Sequence, residues 1–220
     1  MNPVLKRIIT ALTTAALVVL AIVYLPTKAL PPIFSLVMAL AVIEFALLLK
    51  KKVPLASVRG IVGLLLGFAV IAGGLSALPA SAVLTKSNLW MLYLIAIVKF
   101  SDMGGFAFGM SSAKLMKGGN HKLCPTISPN KSWEGLFGSV FASSVMSCAW
   151  MSFTHFGVGK ALAFGAVAAL VGTFGDLVES KFKRWVGVKD SATFMPAGLG
   201  GFLDMFDSLL FAPAALLPFI

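Results

Sequence analysis

The apolar run "GFLDMFDSLLFAPAALLPFI" at residues 201–220 contains two aspartates, Asp204 and Asp207. A carboxylate inside a membrane segment costs roughly 2.5–3.5 kcal/mol on insertion scales. Three residues apart on a helix, the pair shares one face about a turn apart. Asp176 and Glu179 repeat the spacing. Carboxylates bind Mg²⁺ through oxygen, and lysines neutralise phosphate oxygens. The chain has only eight acids: Glu44, Asp102, Glu134, Asp176, Glu179, Asp190, Asp204 and Asp207. All but Glu44 fall at or near the same end of an expected span or in a loop at that end. This sorting fits a site for a metal-bound polyphosphate at one membrane face. The alternative is that Lys183, Arg184 or Lys189 satisfies the pairs as structural ion pairs, and the residue types alone leave it open.

Other polar insertions point to the same face. In "SDMGGFAFG", Asp102 precedes Gly104 and Gly105, where bare backbone is expected to approach a ligand closely. No Walker A pattern is present, so the glycines are weak evidence for phosphate. "SPNKSWEG" puts Lys131 and Glu134 at a helix start, with Ser128 and Ser132 beside the lysine. A capping box is the bland expectation there. His121, His155, Cys124 and Cys148 lack the clustering of a zinc site or a disulfide framework.

The elements that must carry these residues are membrane helices. Apolar residues make up 59% of the 220 and charged residues 12%, about half the charged share of a soluble domain. Mean hydropathy is +0.96. The expected fold is an all-α polytopic transmembrane bundle of about seven spans: 8–25, 31–49, 58–78, 87–108, 135–156, 159–178 and 201–220. Pro26, Pro31, Pro32, Pro54 and Pro79 are expected at ends or in loops. The first apolar stretch reads as a retained span rather than a cleaved signal peptide. With the N-terminus in the cytoplasm, 14 of the 18 basic residues fall on the cytoplasmic side, as the positive-inside rule asks. The chain reads as one membrane domain, with N-terminal spans over 1–100 and a catalytic core over 101–220.

"SDMGGFAFG…HKLCPTISPNKSWEG", "GDLVESKFKRWVGVKDS" and "GLGGFLDMFDSLLF" together resemble the phosphatidate cytidylyltransferase family, the CDP-diacylglycerol synthases. Ser180, Phe182 to Arg184, Lys189-Asp190, Gly200-Gly201, Asp204 and Asp207 stand in the places of the family signature. Leu199 replaces the usual histidine, Met205 replaces a frequent arginine, and one extra residue follows Pro196. The resemblance implies transfer of a cytidylyl group from CTP to phosphatidate, with pyrophosphate leaving. It implies catalytic roles for Lys189, Asp190, Asp204 and Asp207. Substrate binding would fall to Asp102, Ser128, Lys131, Ser180, Lys183, Arg184, Gly200 and Gly201. Mg²⁺ would be held by Asp176, Glu179, Asp204 and Asp207, with a second cation compatible with so many carboxylates. The implied setting is a bacterial inner membrane with the site on the cytoplasmic side. The implied partners are CTP, phosphatidate, membrane lipids and a second copy of the chain, with no nucleic acid. A related lipid or polyprenol kinase is the rival enzyme, and a transporter-like protein the rival outside enzymology.

Overall fold

The structure, a computed structural model, describes residues 3–116, 119–188, 191 and 201–220, and within the first helix not the side chains of 3–12 and 14. The helices in chain order are α1 (Pro3–Tyr24), α2 (Leu30–Lys50), α3 (Val58–Thr85), α4 (Asn88–Leu115), α5 (Trp133–Ala149), α6 (Met151–Thr154), α7 (Val158–Val186), α8 (Phe202–Phe206) and α9 (Ala212–Leu216). Between α4 and α5 lies an antiparallel ribbon of β1 (Lys122–Cys124) and β2 (Ser128–Ser132). Four segments are long and apolar enough to cross a membrane: 27–50, 58–85, 88–115 and 158–186. The all-α bundle is as expected, and the protein is an integral membrane protein.

Two sequence expectations change. The helix expected to stop before Pro79 runs on to Thr85, and Lys86 ends it with φ +56°. Proline removes one backbone donor, but neighbouring hydroxyls and helices can absorb the freed group in a membrane helix. Pro79 is itself buried within α3, and the helix continues past it. The second change is larger. Residues 201–220 are not one span but α8, a 3₁₀ turn at Ser208–Leu210, α9 and a final 3₁₀ turn at Leu217–Phe219. Pro213 and Pro218 lack N–H groups, and a short polar side chain competes for local backbone. Asp207 Oδ1 takes the Ser208 N–H at 2.5 Å. This broken segment packs inside the bundle. Leu203 and Leu210 join Ala41, Leu48, Ile71 and Leu75, while Ala212 and Leu216 join Leu78, Tyr93 and Ile97.

The glycines after Asp102 do not form a phosphate loop. They lie within α4, where their N–H groups serve the helix. Gly104 and Gly105 face Gly138 and Ser139 of α5 so closely that a Cβ at Gly104 would overlap the Gly138 carbonyl. Gly105 and Gly109 are four apart, the small-residue spacing that lets membrane helices approach. Ser132 starts α5 by accepting the Gly135 N–H at 3.0 Å. α7 stops at Gly187, whose φ of +89° suits a residue without Cβ.

Candidate active site

The middle of α4, the second half of α7, strand β2, the first turns of α5 and the start of the broken C-terminal segment surround a cavity of about 440 Å³. Its wall includes Lys99 and Asp102 from α4, Ser128 and Lys131 from β2, and Asp176 from α7. Asp204 and Asp207 close the side formed by the C-terminal segment. α4 has 28 residues and α7 has 29, or ~42 Å each at 1.5 Å per residue. That exceeds a ~30 Å hydrocarbon core, yet Lys99 and Asp102 lie near the middle of α4 and Asp176 in the second half of α7, so it is a polar cavity rather than a helix end that accommodates these charges.

At the edge of this cavity, carboxylate oxygens of Asp176, Glu179 and Asp207 all lie within 4.8 Å of one another. Two Mg²⁺ ligands opposite each other stand ~4.2 Å apart, so modest side-chain rotation would close this group on one ion. Glu179 is 6% exposed, and its Oε1 has no hydrogen-bond partner among the described residues. Three converging carboxylates with an orphaned buried oxygen suit a hard divalent cation.

Asp204 does not join that trio. Its Oδ1 meets Lys183 Nζ at 2.5 Å, and its Oδ2 accepts the N–H groups of Ser191 and Gly201, each at 2.9 Å. Lys183 also stands 2.8 Å from Glu179 Oε2. The ion-pair reading therefore describes Lys183 between Asp204 and Glu179, while Asp207 lies toward Asp176 and Glu179. The break in the helix separates the two aspartates.

The basic residues alternate with these acids. Lys131 Nζ lies 2.5 Å from Asp176 Oδ2. Lys99 Nζ lies 3.2 Å from Asp102 Oδ2 and donates to the Met205 carbonyl and Ser208 Oγ, both at 3.3 Å. Ser208 Oγ donates to Asp102 Oδ2 at 2.9 Å. Ser180 Oγ reaches Asp176 Oδ1 at 3.4 Å, outside the cavity wall. Arg184 is exposed and donates to the Val188 carbonyl at 3.4 Å, closing the end of α7 rather than facing the cavity. Lys189, Asp190 and Gly200 lie outside the described residues.

Glu134 serves the ribbon rather than a capping box on its own helix. It accepts from the His121 backbone N–H at 3.1 Å and pairs with His121 Nδ1 at 2.6 Å. The His121 ring contact, then the backbone N–H groups at the start of α5 and at His121, hold its carboxyl down at about 2. This clasp fixes the ribbon that carries Lys131 over the cavity. Sequence reasoning passed over Lys99, Ser208 and Asn130 as site residues. The signal for Lys99 was present: a lysine within an apolar span, one turn before an aspartate.

A second hollow of about 610 Å³ opens between α2, α3 and α7. It is apolar, lined by Phe45, Leu66, Val70, Phe182 and Phe211, with Lys52 and Arg59 also in its wall. The C-terminal segment divides the two hollows. Asp204 and Asp207 line the polar cavity, Leu203 and Leu210 line the apolar one, and Glu179 belongs to the apolar wall and to the carboxylate trio.

Comparison with known sequences decides the family. The cytidylyltransferase family model matches residues 2–220. The chain belongs to the cytidylyltransferase family. Its similar relatives include the phosphatidate cytidylyltransferase of Staphylococcus aureus strain COL, 44% identical over 124 residues. Those of Staphylococcus epidermidis strain RP62A and Staphylococcus saprophyticus are 43% and 41% identical over the same length. Each match covers 56% of this chain and 45% of the relative, so this cytidylyltransferase-family chain spans less than half the length of these relatives in the match.

Proposed function

We propose that this chain transfers a cytidylyl group from CTP to phosphatidate, giving CDP-diacylglycerol and pyrophosphate, at the cytoplasmic face of a bacterial inner membrane. The observation that carries the reading is the carboxylate trio, two of whose members line one polar cavity with Lys99 and Lys131, in a member of the cytidylyltransferase family. Two anions must meet in this reaction, so repulsion is the main obstacle. Asp176, Glu179 and Asp207 would hold Mg²⁺, which when bound supplies positive charge to the triphosphate. Lys131 and Lys99 would bind phosphate oxygens, exchanging their carboxylate partners for substrate. Ser128 and Asn130 at the ribbon would line the nucleotide's path. The lipid's acyl chains would lie in the apolar hollow, where Lys52 and Arg59 complement an anionic headgroup and Glu179 adjoins the polar cavity. The residues orient the lipid phosphate oxygen toward the α-phosphorus; the P–O bond it forms replaces the one that leaves with pyrophosphate. A homodimer is part of the same proposal, and its mass in detergent by light scattering checks it.

The test is radiolabelled CTP with phosphatidate and the purified protein, with and without Mg²⁺. A lipid-soluble cytidine product that depends on Mg²⁺ is expected. No such product, or labelled lipid formed from γ-labelled ATP instead, would replace this reading with a kinase or a non-enzyme.

A further inference from the structure

Glu44 is the sole acid among the first 101 residues and lies in the C-terminal half of the apolar helix α2. It is fully buried, at 0% exposure. No part of the proposed chemistry uses it, since it lines neither hollow. Its surroundings give it a task. Glu44 Oε2 accepts the Leu203 N–H at 2.9 Å, across 159 residues of sequence. A Cβ on Gly201 would overlap Glu44 Oε1 and the Ser191 hydroxyl, so the Gly201 backbone is seated directly on the carboxylate. The first N–H groups of any helix lack partners within it. In α8, Gly201 N–H goes to Asp204 and Leu203 N–H goes to Glu44.

α8 has five residues, far fewer than a helix needs to hold itself together in isolation. Its placement must come from what it touches. Leu203 packs with Ala41 and Leu48 of α2, and the Glu44 contact adds direction to that burial: it fixes depth and rotation together. Asp207 directly follows α8 at its C-terminal end. Small rotation at Leu203 would therefore swing Asp207 away from Asp176 and Glu179.

We propose that Glu44 is a positioning residue that sets the cation affinity of the Asp176–Glu179–Asp207 group by holding the start of α8, without touching the cation. This rests on the reading of that group as a cation site. The glycine at 201 is the matching half of the device, because only bare backbone lets α8 approach the carboxylate so closely.

The probe is Mn²⁺ binding followed by electron paramagnetic resonance, on the full chain in detergent without nucleotide, so the readout is independent of turnover. Wild type should bind Mn²⁺, and Asp207→Asn should abolish that binding. Glu44→Leu, which removes the acceptor, should weaken Mn²⁺ affinity by about 10- to 100-fold, the range for residues that orient a metal's ligands. Glu44→Gln keeps an acceptor oxygen of the same reach and should restore most of the affinity. Gly201→Ala leaves Glu44 in place but pushes α8 off it. It should weaken Mn²⁺ affinity as well, and it carries the test if Glu44→Leu does not fold. Unchanged Mn²⁺ affinity in folded Glu44→Leu or Gly201→Ala would overturn the proposal and leave Glu44 a purely structural acid. Equal losses in Glu44→Gln and Glu44→Leu would overturn it too, by showing that charge rather than the accepted hydrogen bond matters. Absence of Mn²⁺ binding in wild type would remove the cation reading itself, and is distinguishable because no variant is then needed to see it.

Discussion

Asp204 and Asp207 are three residues apart and do different things. Asp207 faces Asp176 and Glu179, whereas Asp204 is saturated by Lys183 and two backbone N–H groups. Their asparagine variants should separate accordingly. Asp207→Asn keeps shape but removes the charge that would hold a cation. Its kcat/KM for CTP should fall on the order of 100-fold or more, matching the several kcal/mol a bound ion supplies. Its thermal unfolding in detergent should be little changed. Asp204→Asn removes the charge facing Lys183, and a hydrogen bond to a charged group contributes about 1.5–3 kcal/mol. That variant should unfold at lower temperature as well as lose turnover. Equal melting temperatures for the two variants would erase the distinction. Lys131→Ala should raise KM for CTP roughly 10- to 150-fold, the equivalent of one such charge-assisted bond lost. An unchanged KM would leave Lys131 only a partner for Asp176.

At the scale of elements, the close contact of α4 with α5 holds the ribbon and the cavity wall in register. Gly104→Ala puts a methyl into the Gly138 carbonyl. Overpacking of this kind costs typically 1–3 kcal/mol, so reduced thermal stability in detergent is expected. Normal stability would mean that the helices can part at no cost. This contact also shows what was legible. Charges are costly in an apolar chain, so the acids at one end announced a site from composition alone. The spacing Gly105-x-x-x-Gly109 is that of a helix contact, but next to Asp102 the glycines Gly104 and Gly105 read as a ligand-binding turn. The fate of Asp204 was not legible, because a regular helix was assumed through a segment that Pro213, Pro218 and Asp207 interrupt. Nor could spacing show that Glu44 meets Leu203, since their contact spans 159 positions. The ribbon was missed because its two strands hold only three and five residues.

For the whole molecule, connectivity fixes which ends share a face. A two-residue turn, Lys86 and Ser87, joins α3 to α4, so the two helices run in opposite directions. The ribbon follows the far end of α4, which puts it on the face where α3 begins, the face that also carries Lys50–Lys52. On the orientation proposed from the lysine bias, that face is cytoplasmic, and Lys131, Asp102 and the cavity they line go with it. Lys86 then belongs to the opposite face. Both Lys86 and Thr126, in the ribbon's turn, are exposed. In a background with Cys124 and Cys148 replaced by serine, Lys86→Cys should react with a membrane-impermeant maleimide in intact bacterial spheroplasts. Thr126→Cys should react only after permeabilisation. Reaction of both from one side would contradict the antiparallel course of α3 and α4. Reversed sidedness would keep the bundle but turn it over, placing the carboxylates away from the compartment that supplies nucleotide, and the proposed reaction could not draw on cytosolic CTP.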